Sequence, residues 1–221
     1  ALAYRQPGSS FKPFAYATAF KKGFTDATIL FDLKTEFNPE CDSSGEQKKD
    51  KYGNDCYNPQ NYNLNYSGPV TARQALAQSL NIPSVKMLYL SDIDDTIDLA
   101  KEMGITSLDK RSRFGLSLVL GGAEVRLVDI VSAYGVFAND GIKAKPAFIE
   151  KIVAADGEVL EEYKNAEERV LEAQTARLIT DILSDNNARA PVFGYNSYLN
   201  LGARPVAAKT GTTQENRAGW L

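Results

Sequence analysis

The chain of 221 residues contains no histidine. A Ser-His-Asp triad, a histidine-assisted cysteine nucleophile, and zinc sites of the H-E-x-x-H or Cys₂His₂ kind all need imidazole, so all are excluded. Cysteine is almost as scarce, with Cys41 and Cys56 as its only 2 representatives. Two thiols without histidine would leave the rest of a coordination shell to carboxylates, so neither a metal nor a cofactor is expected. There is no excess of positive charge: 25 basic against 28 acidic residues give a net charge of −3. That balance gives no electrostatic reason to expect a nucleic-acid partner. No apolar run approaches the roughly 20 residues that cross a bilayer. No leader pattern precedes "ALAYRQPGSSF", and the chain stops on "AGWL", so we expect an excerpt of a longer protein. What is present is an ordinary hydrophobic content of 43%, enough for a core.

Three short stretches carry chemistry. In "RQPGSSFKPF", Ser9 stands three residues ahead of Lys12, a spacing that puts both on one helix face about 5–6 Å apart at Cβ. Without histidine, a nucleophilic Ser9 needs a lysine or a carboxylate as its base. Pro13 is tolerated only in a first helical turn, so a helix capped by Ser10 is expected. Phe11, Phe14, Ala15 and Ala19 then form its apolar stripe, with Thr18 the polar member. Ser9 falls at the positive end of the helix dipole, which favours an alkoxide. Taken alone, the stretch reads more simply as two capping serines and a solvated lysine.

In "GPVTARQALAQSLNIPSVKMLYL", Thr71 and Gln74 form a capping box that starts a helix at Ala72. Pro83 suits the first position of a second helix. Ser79 and Asn81 thereby fall on the junction between the two, aimed into a cleft or simply ending a helix. "RPVAAKTGTTQ" reads as a strand, Val206 to Thr213, with Gly211 marking the close approach of a ligand or another backbone. Lys209, Thr210 and Thr212 offer a cation and two hydroxyls to a carboxylate. A decorated edge strand is the plainer alternative.

S-x-x-K, S-x-N and K-T-G in that order form the set found in penicillin-binding proteins and class A β-lactamases, with Leu80 standing where the β-lactamase pattern has aspartate. With "LGGAEVRLVDIVSAYGVFANDG" and "AAKTGTT" added, nearly the whole chain resembles the transpeptidase domain of class A, bifunctional penicillin-binding proteins. The resemblance implies a mixed α+β, β-lactamase-like fold: an antiparallel sheet flanked by helices, plus a mostly helical lobe. Residues 1–221 would be a partial domain, truncated at both ends. The first strands would precede Ala1, and a strand begun at "RAGWL" would be followed by more strands and a helix. The glycosyltransferase domain and the N-terminal membrane anchor would lie outside it, and the location would be the cell envelope.

The resemblance also implies roles. Ser9 would attack the penultimate D-Ala carbonyl of a peptidoglycan stem peptide, with Lys12 as base, its pKa lowered by burial and by Lys209. Ser79 would relay the proton to the leaving amine and Asn81 would hold the substrate amide. Lys209, Thr210, Gly211, Thr212 and Thr213 would receive the terminal carboxylate, or that of a β-lactam inhibitor. The backbone N–H groups of Ser9 and Thr212 would form an oxyanion hole. An acceptor amine would then complete the cross-link. Three alternatives share the nucleophile: a D,D-carboxypeptidase, a β-lactamase, and a penicillin-binding sensor that transfers nothing. A class A β-lactamase would carry E-x-x-L-N, and Glu168-Arg169-Val170-Leu171-Glu172 lacks the asparagine.

Elsewhere, helices are expected over Asp94–Met103, Glu124–Ala138 (Val125, Val128, Val131 and Phe137 inward) and Glu172–Leu183, with a hairpin turning at Asp156-Gly157. The polar, tyrosine-rich Asn38–Pro69 reads as a surface loop near the cleft. The extracytoplasmic location implied by the resemblance favours a Cys41–Cys56 disulfide within it over two free thiols.

Overall fold

Helix α1, Lys12–Lys21, is the centre about which the other helices pack. Lys12, Phe14, Ala15, Tyr16, Ala17 and Ala19 expose no surface at all, so α1 is buried on every side rather than along one stripe. Helices α3 (Asn81–Ser91), α4 (Ile93–Glu102) and α6 (Ala173–Ser184) enclose it. Both hydroxyls sealed within it are engaged, Thr18 donating to the Phe14 carbonyl at 2.9 Å and the Tyr16 hydroxyl lying 3.2 Å from Ser84 Oγ. The computed structural model describes residues 1–164, 166–213 and 219–221.

Among the described residues, the strands form five antiparallel pairs. These are β1 (Tyr4–Arg5) with β4 (Val125–Arg126), β2 (Ile29–Asp32) with β3 (Gly68–Thr71), and β5 (Ile142–Ala144) with β8 (Glu167–Arg169). The last two are β6 (Lys151–Val153) with β7 (Val159–Glu162) and β9 (Gly211–Thr212) with β10 (Gly219–Trp220). The hairpin β6–β7 turns through Asp156 and Gly157, as the sequence suggests; Gly157 takes φ +90°.

Several boundaries differ from the sequence expectation, each for a physical reason. A 3-10 turn, Gly8–Phe11, precedes α1, so Pro13 is its second residue, and Ser10 bonds back to Pro7 instead of capping. Helix α2, Ala72–Ala77, starts on the expected Thr71–Gln74 capping box. Helix α3 begins at Asn81, two residues ahead of Pro83, because Asn61 accepts the Asn81 N–H that a helix start leaves free. Asp92 caps α4 one residue earlier than expected, and Glu172 precedes α6.

Helix α5 spans Leu127–Ala138, not Glu124 onward, because Val125 and Arg126 are drawn into pairing with β1. Its buried face is Ile130, Ala133, Val136 and Phe137; Val131 lies on an open apolar hollow with Leu127, Tyr134 and Trp220. The strand expected from Val206 to Thr213 is laddered only at Gly211 and Thr212, and the Ala208 N–H bonds instead to Leu183 O at the end of α6. Of the strand expected at "RAGWL", Gly219 and Trp220 are seen; Arg217 and Ala218 lie outside the described residues.

Cys41 and Cys56 form a disulfide, with Cα atoms 5.9 Å apart. The segment is not only surface. Asp50 and Asn61 are buried, and its end reaches the site described next.

Candidate active site

Gly8 to Phe11 form a tight turn wedged between two backbones. Gly8 has φ +57°, and a Cβ there would overlap the Thr212 main chain. A Cβ on Gly211 would overlap Pro7 O and come within 3.0 Å of Ser10 Cβ, and one on Gly121 would overlap Gly8 itself. Gly211 therefore marks the close approach of another backbone, and that backbone carries Ser9. Three glycines bring the Ser9 turn, β9 and the Gly121 turn into direct contact, which side chains would prevent.

The two serines of the turn differ in availability. Ser10 is 4% exposed; its hydroxyl donates to Pro7 O at 2.8 Å, and its carbonyl accepts from the buried Tyr134 hydroxyl at 2.7 Å. Ser9 is half-buried, and its hydroxyl makes no hydrogen bond among the described residues. Of the two, only Ser9 has a hydroxyl left unengaged among the described residues.

Lys12 is sealed beneath it. Its Nζ donates to Ser79 O at 2.6 Å, Asn81 Oδ1 at 2.8 Å and Ser79 Oγ at 3.3 Å. None of these bonds goes to Ser9; the backbone link is the Lys12 N–H donating to Ser9 O. Burial, and secondly the charge of Lys209, hold the Lys12 ammonium well below the usual lysine range. Lys209 is 4% exposed and donates to Ser79 Oγ at 2.7 Å and to Thr210 O at 2.8 Å. Burial draws its pKa from 10.5 to about 7.

Ser79 sits between the two lysines in an unusual backbone state. Helix α2 ends with the Ser79 N–H on Leu76 O and the Leu80 N–H on Ala75 O, and Ser79 takes φ +60°. Glycine usually fills this left-handed position after a helix, and a serine there is strained by about 1 kcal/mol or more. The strain turns the chain sharply enough to bring Ser79 and Asn81 to the same ammonium.

The threonines of the third stretch are placed differently. Thr210 is half-buried and Thr212 exposed, with alternation putting both on one face, while Thr213 is buried. Two glutamates stand in E-x-x-L context, Glu168 on β8 and Glu124 just before β4; both are exposed, and neither motif is followed by asparagine.

Sequence reasoning missed Gln60, Asn61, Asp32 and Tyr134. Asn61 Oδ1 accepts the Asn81 N–H at 2.8 Å and Gln60 O accepts from Asn81 Nδ2 at 2.7 Å. Nothing in the turn-rich "NPQNYN" separates those two residues from ordinary loop polars. Tyr134 falls on a helix whose apolar pattern hides a hydroxyl directed at the Ser9 turn.

Comparison with known proteins fits this geometry. The family model described as the penicillin-binding protein transpeptidase domain matches residues 3–219. Penicillin-binding protein 2D of Bacillus subtilis is 37% identical over 99% of this chain and 30% of its own length. Penicillin-binding protein 1A of Aquifex aeolicus is 37% identical over 99% of this chain and 28% of its own. Among solved structures, PonA1 from Mycobacterium tuberculosis in complex with penicillin V superposes with a TM-score of 0.78 at 26% identity. It covers 98% of this chain and 55% of that one. The chain belongs to the penicillin-binding protein transpeptidase family, and its mixed α and β architecture is that fold. It spans about 30% of the length of the two curated relatives named.

Proposed function

We propose that this domain is a serine D,D-transpeptidase of the cell envelope, cross-linking peptidoglycan stem peptides and inhibited by β-lactams. The observation that carries the reading is the pair of buried lysines sharing the Ser79 hydroxyl beside an unengaged Ser9. Two ammonium groups held this close in a dry site oppose each other's charge, so at least one is neutral near pH 7.

Lys12 is the neutral one. A neutral amine has two N–H donors and one lone pair. The donors stay on Ser79 O and Asn81 Oδ1, its two shorter contacts, and the long 3.3 Å contact to Ser79 Oγ is given up. The freed lone pair takes the Ser9 proton as Ser9 Oγ bonds to the penultimate D-Ala carbonyl carbon. The oxyanion is received by the Ser9 and Thr212 N–H groups, each worth ~3–4 kcal/mol in comparable sites.

The tetrahedral carbon then expels the terminal D-Ala amine. Ser79 passes that amine a proton from its own hydroxyl, and a lysine ammonium beside it replaces the proton. Lys209, with the Thr210 and Thr212 hydroxyls and the Gly211-Thr213 backbone, holds the substrate carboxylate. Asn81 holds the amide. An acceptor amine reverses the sequence, attacking the Ser9 ester and returning the proton to Ser9. Burial of Lys12 and Lys209 without a carboxylate partner among the described residues supports this assignment over a structural ion pair.

The experiment is acylation by a labelled penicillin, followed by release of a stem-peptide thioester's acyl group to a D-amino acid or to water. Transfer to the amine supports a transpeptidase; release to water alone supports a carboxypeptidase, and rapid turnover of penicillin a β-lactamase.

A further inference from the structure

Asp32 ends β2 with no exposed surface, and nothing in the chemistry above uses it. Its carboxylate accepts from Asn61 Nδ2 at 2.8 and 2.9 Å and from the Ser67 N–H at 2.9 Å. Asn61 is itself only 3% exposed, and its second amide hydrogen goes to Asn65 O at 2.9 Å. Asn61 Oδ1 accepts the Asn81 N–H, and the Gln60 carbonyl accepts from Asn81 Nδ2.

Every link in this chain has a forced direction. A carboxylate can only accept, so Asn61 must turn its NH₂ to Asp32 and its oxygen to the Asn81 N–H. A backbone carbonyl can only accept, so Gln60 turns the Asn81 NH₂ toward itself. The Asn81 oxygen is thereby left facing Lys12, which it meets at 2.8 Å. Reversing the Asn61 amide would oppose acceptor to acceptor in a buried place, the most costly arrangement of polar groups, and reversing Asn81 would turn its NH₂ against the buried Lys12.

We propose that Asn61, oriented by Asp32, is a positioning residue for the reaction: with Gln60 it fixes the Asn81 amide, and through it the Lys12 amine below Ser9. The segment between the disulfide and β3 is thus part of the active-site support. The inference rests on the transpeptidase reading for its kinetic consequence, though not for the contact itself.

The test separates binding from chemistry in penicillin acylation, using the dissociation constant of the encounter complex and the first-order acylation rate. Asn61→Ala should fold, leave the dissociation constant within about threefold and lower the acylation rate by ~10²-fold, as expected of a base displaced by about 1 Å. Its loss should not add to that of Asn81→Ala, since both act through one contact. The exchanged pair Asp32→Asn with Asn61→Asp restores two of the links, the new amide at 32 donating to the new carboxylate at 61, which accepts the Asn81 N–H; the link to Asn65 O loses its donor, so recovery is partial. Acylation by this variant should return to within about tenfold of wild type.

Hydrogen exchange at the Asn81 amide reads the contact without chemistry, and should accelerate in Asn61→Ala and slow again in the exchanged pair. A folded Asn61→Ala with wild-type acylation rate and unchanged Asn81 exchange overturns the proposal. So does full additivity with Asn81→Ala, or an exchanged pair that folds yet stays ~10²-fold slow. If Asn61→Ala does not fold, the exchanged pair decides alone. A wild type that takes up no penicillin contradicts the functional reading instead, and the exchange measurement still judges the contact.

Discussion

Ser79 Oγ lies 3.3 Å from Lys12 Nζ and 2.7 Å from Lys209 Nζ, so one hydroxyl joins two buried amines. The chain has no histidine, and in the proposed reaction this bridge would stand in for an imidazole, connecting the atom that would take a proton from Ser9 to the atom that would resupply one.

Lys12→Arg puts a permanent cation where the reaction needs a neutral amine, and a guanidinium, always protonated, cannot act as a base. Penicillin acylation should fall by about 10²–10⁴-fold while the far-UV spectrum stays close to wild type and the buried charge lowers the melting temperature. Acylation near the wild-type rate would move the base role to another group.

Ser79→Gly and Ser79→Ala both remove the bridging hydroxyl, so both should acylate poorly. They differ in backbone. At φ +60° glycine is unstrained and alanine is not, so the glycine variant should be the more stable by about 1 kcal/mol in urea unfolding. Equal stabilities, or a more stable alanine variant, would show that the left-handed backbone at Ser79 is not strained.

The lysines also make stability depend on pH. Lys209 falls from 10.5 unfolded to about 7 folded, and Lys12 is displaced in the same direction. Between those values the unfolded chain binds more protons, so stability is lowest below pH 7 and rises as pH increases toward 10. Buried Tyr16 and Tyr134, whose pKa values burial raises, act oppositely only above about pH 10. The melting temperature should therefore climb from pH 7 to about 9.5, and Lys209→Met should flatten part of that rise. A flat or falling wild-type profile over this window would refute the burial of the two lysines.

The Cys41–Cys56 bridge closes a separation of 15 residues, and a loop of that size is worth roughly 3 kcal/mol to the folded state. Reduction should lower the denaturant midpoint by a corresponding amount, and labelling of native protein made under oxidising conditions should find no free thiol. Two labelled thiols would remove the bridge from the account.

Local rules reached the parts of the site that depend on neighbours in sequence. The Thr71–Gln74 box set the start of α2, and the distance from there to Pro83 put Ser79 and Asn81 on a helix junction. Gly211 announced a close approach of backbone. Partners far along the chain were not legible. Val125 and Arg126 leave α5 because β1, some 120 residues earlier, takes them, and Ala208 is drawn to α6 rather than into a ladder. The Ser79 backbone angle has no signature in its side chain. Asn61 looked like any loop asparagine until a buried carboxylate from β2 stood beside it.

The central claim is that Ser9, and not its buried neighbour Ser10, forms the covalent bond. Intact mass spectrometry of the domain with penicillin, followed by peptide mapping, tests it most directly. The account predicts one adduct per chain, located on Ser9, absent from Ser9→Ala and retained in Ser10→Ala. An adduct mapped to Ser10 or Ser79, or one that persists in Ser9→Ala, would contradict it.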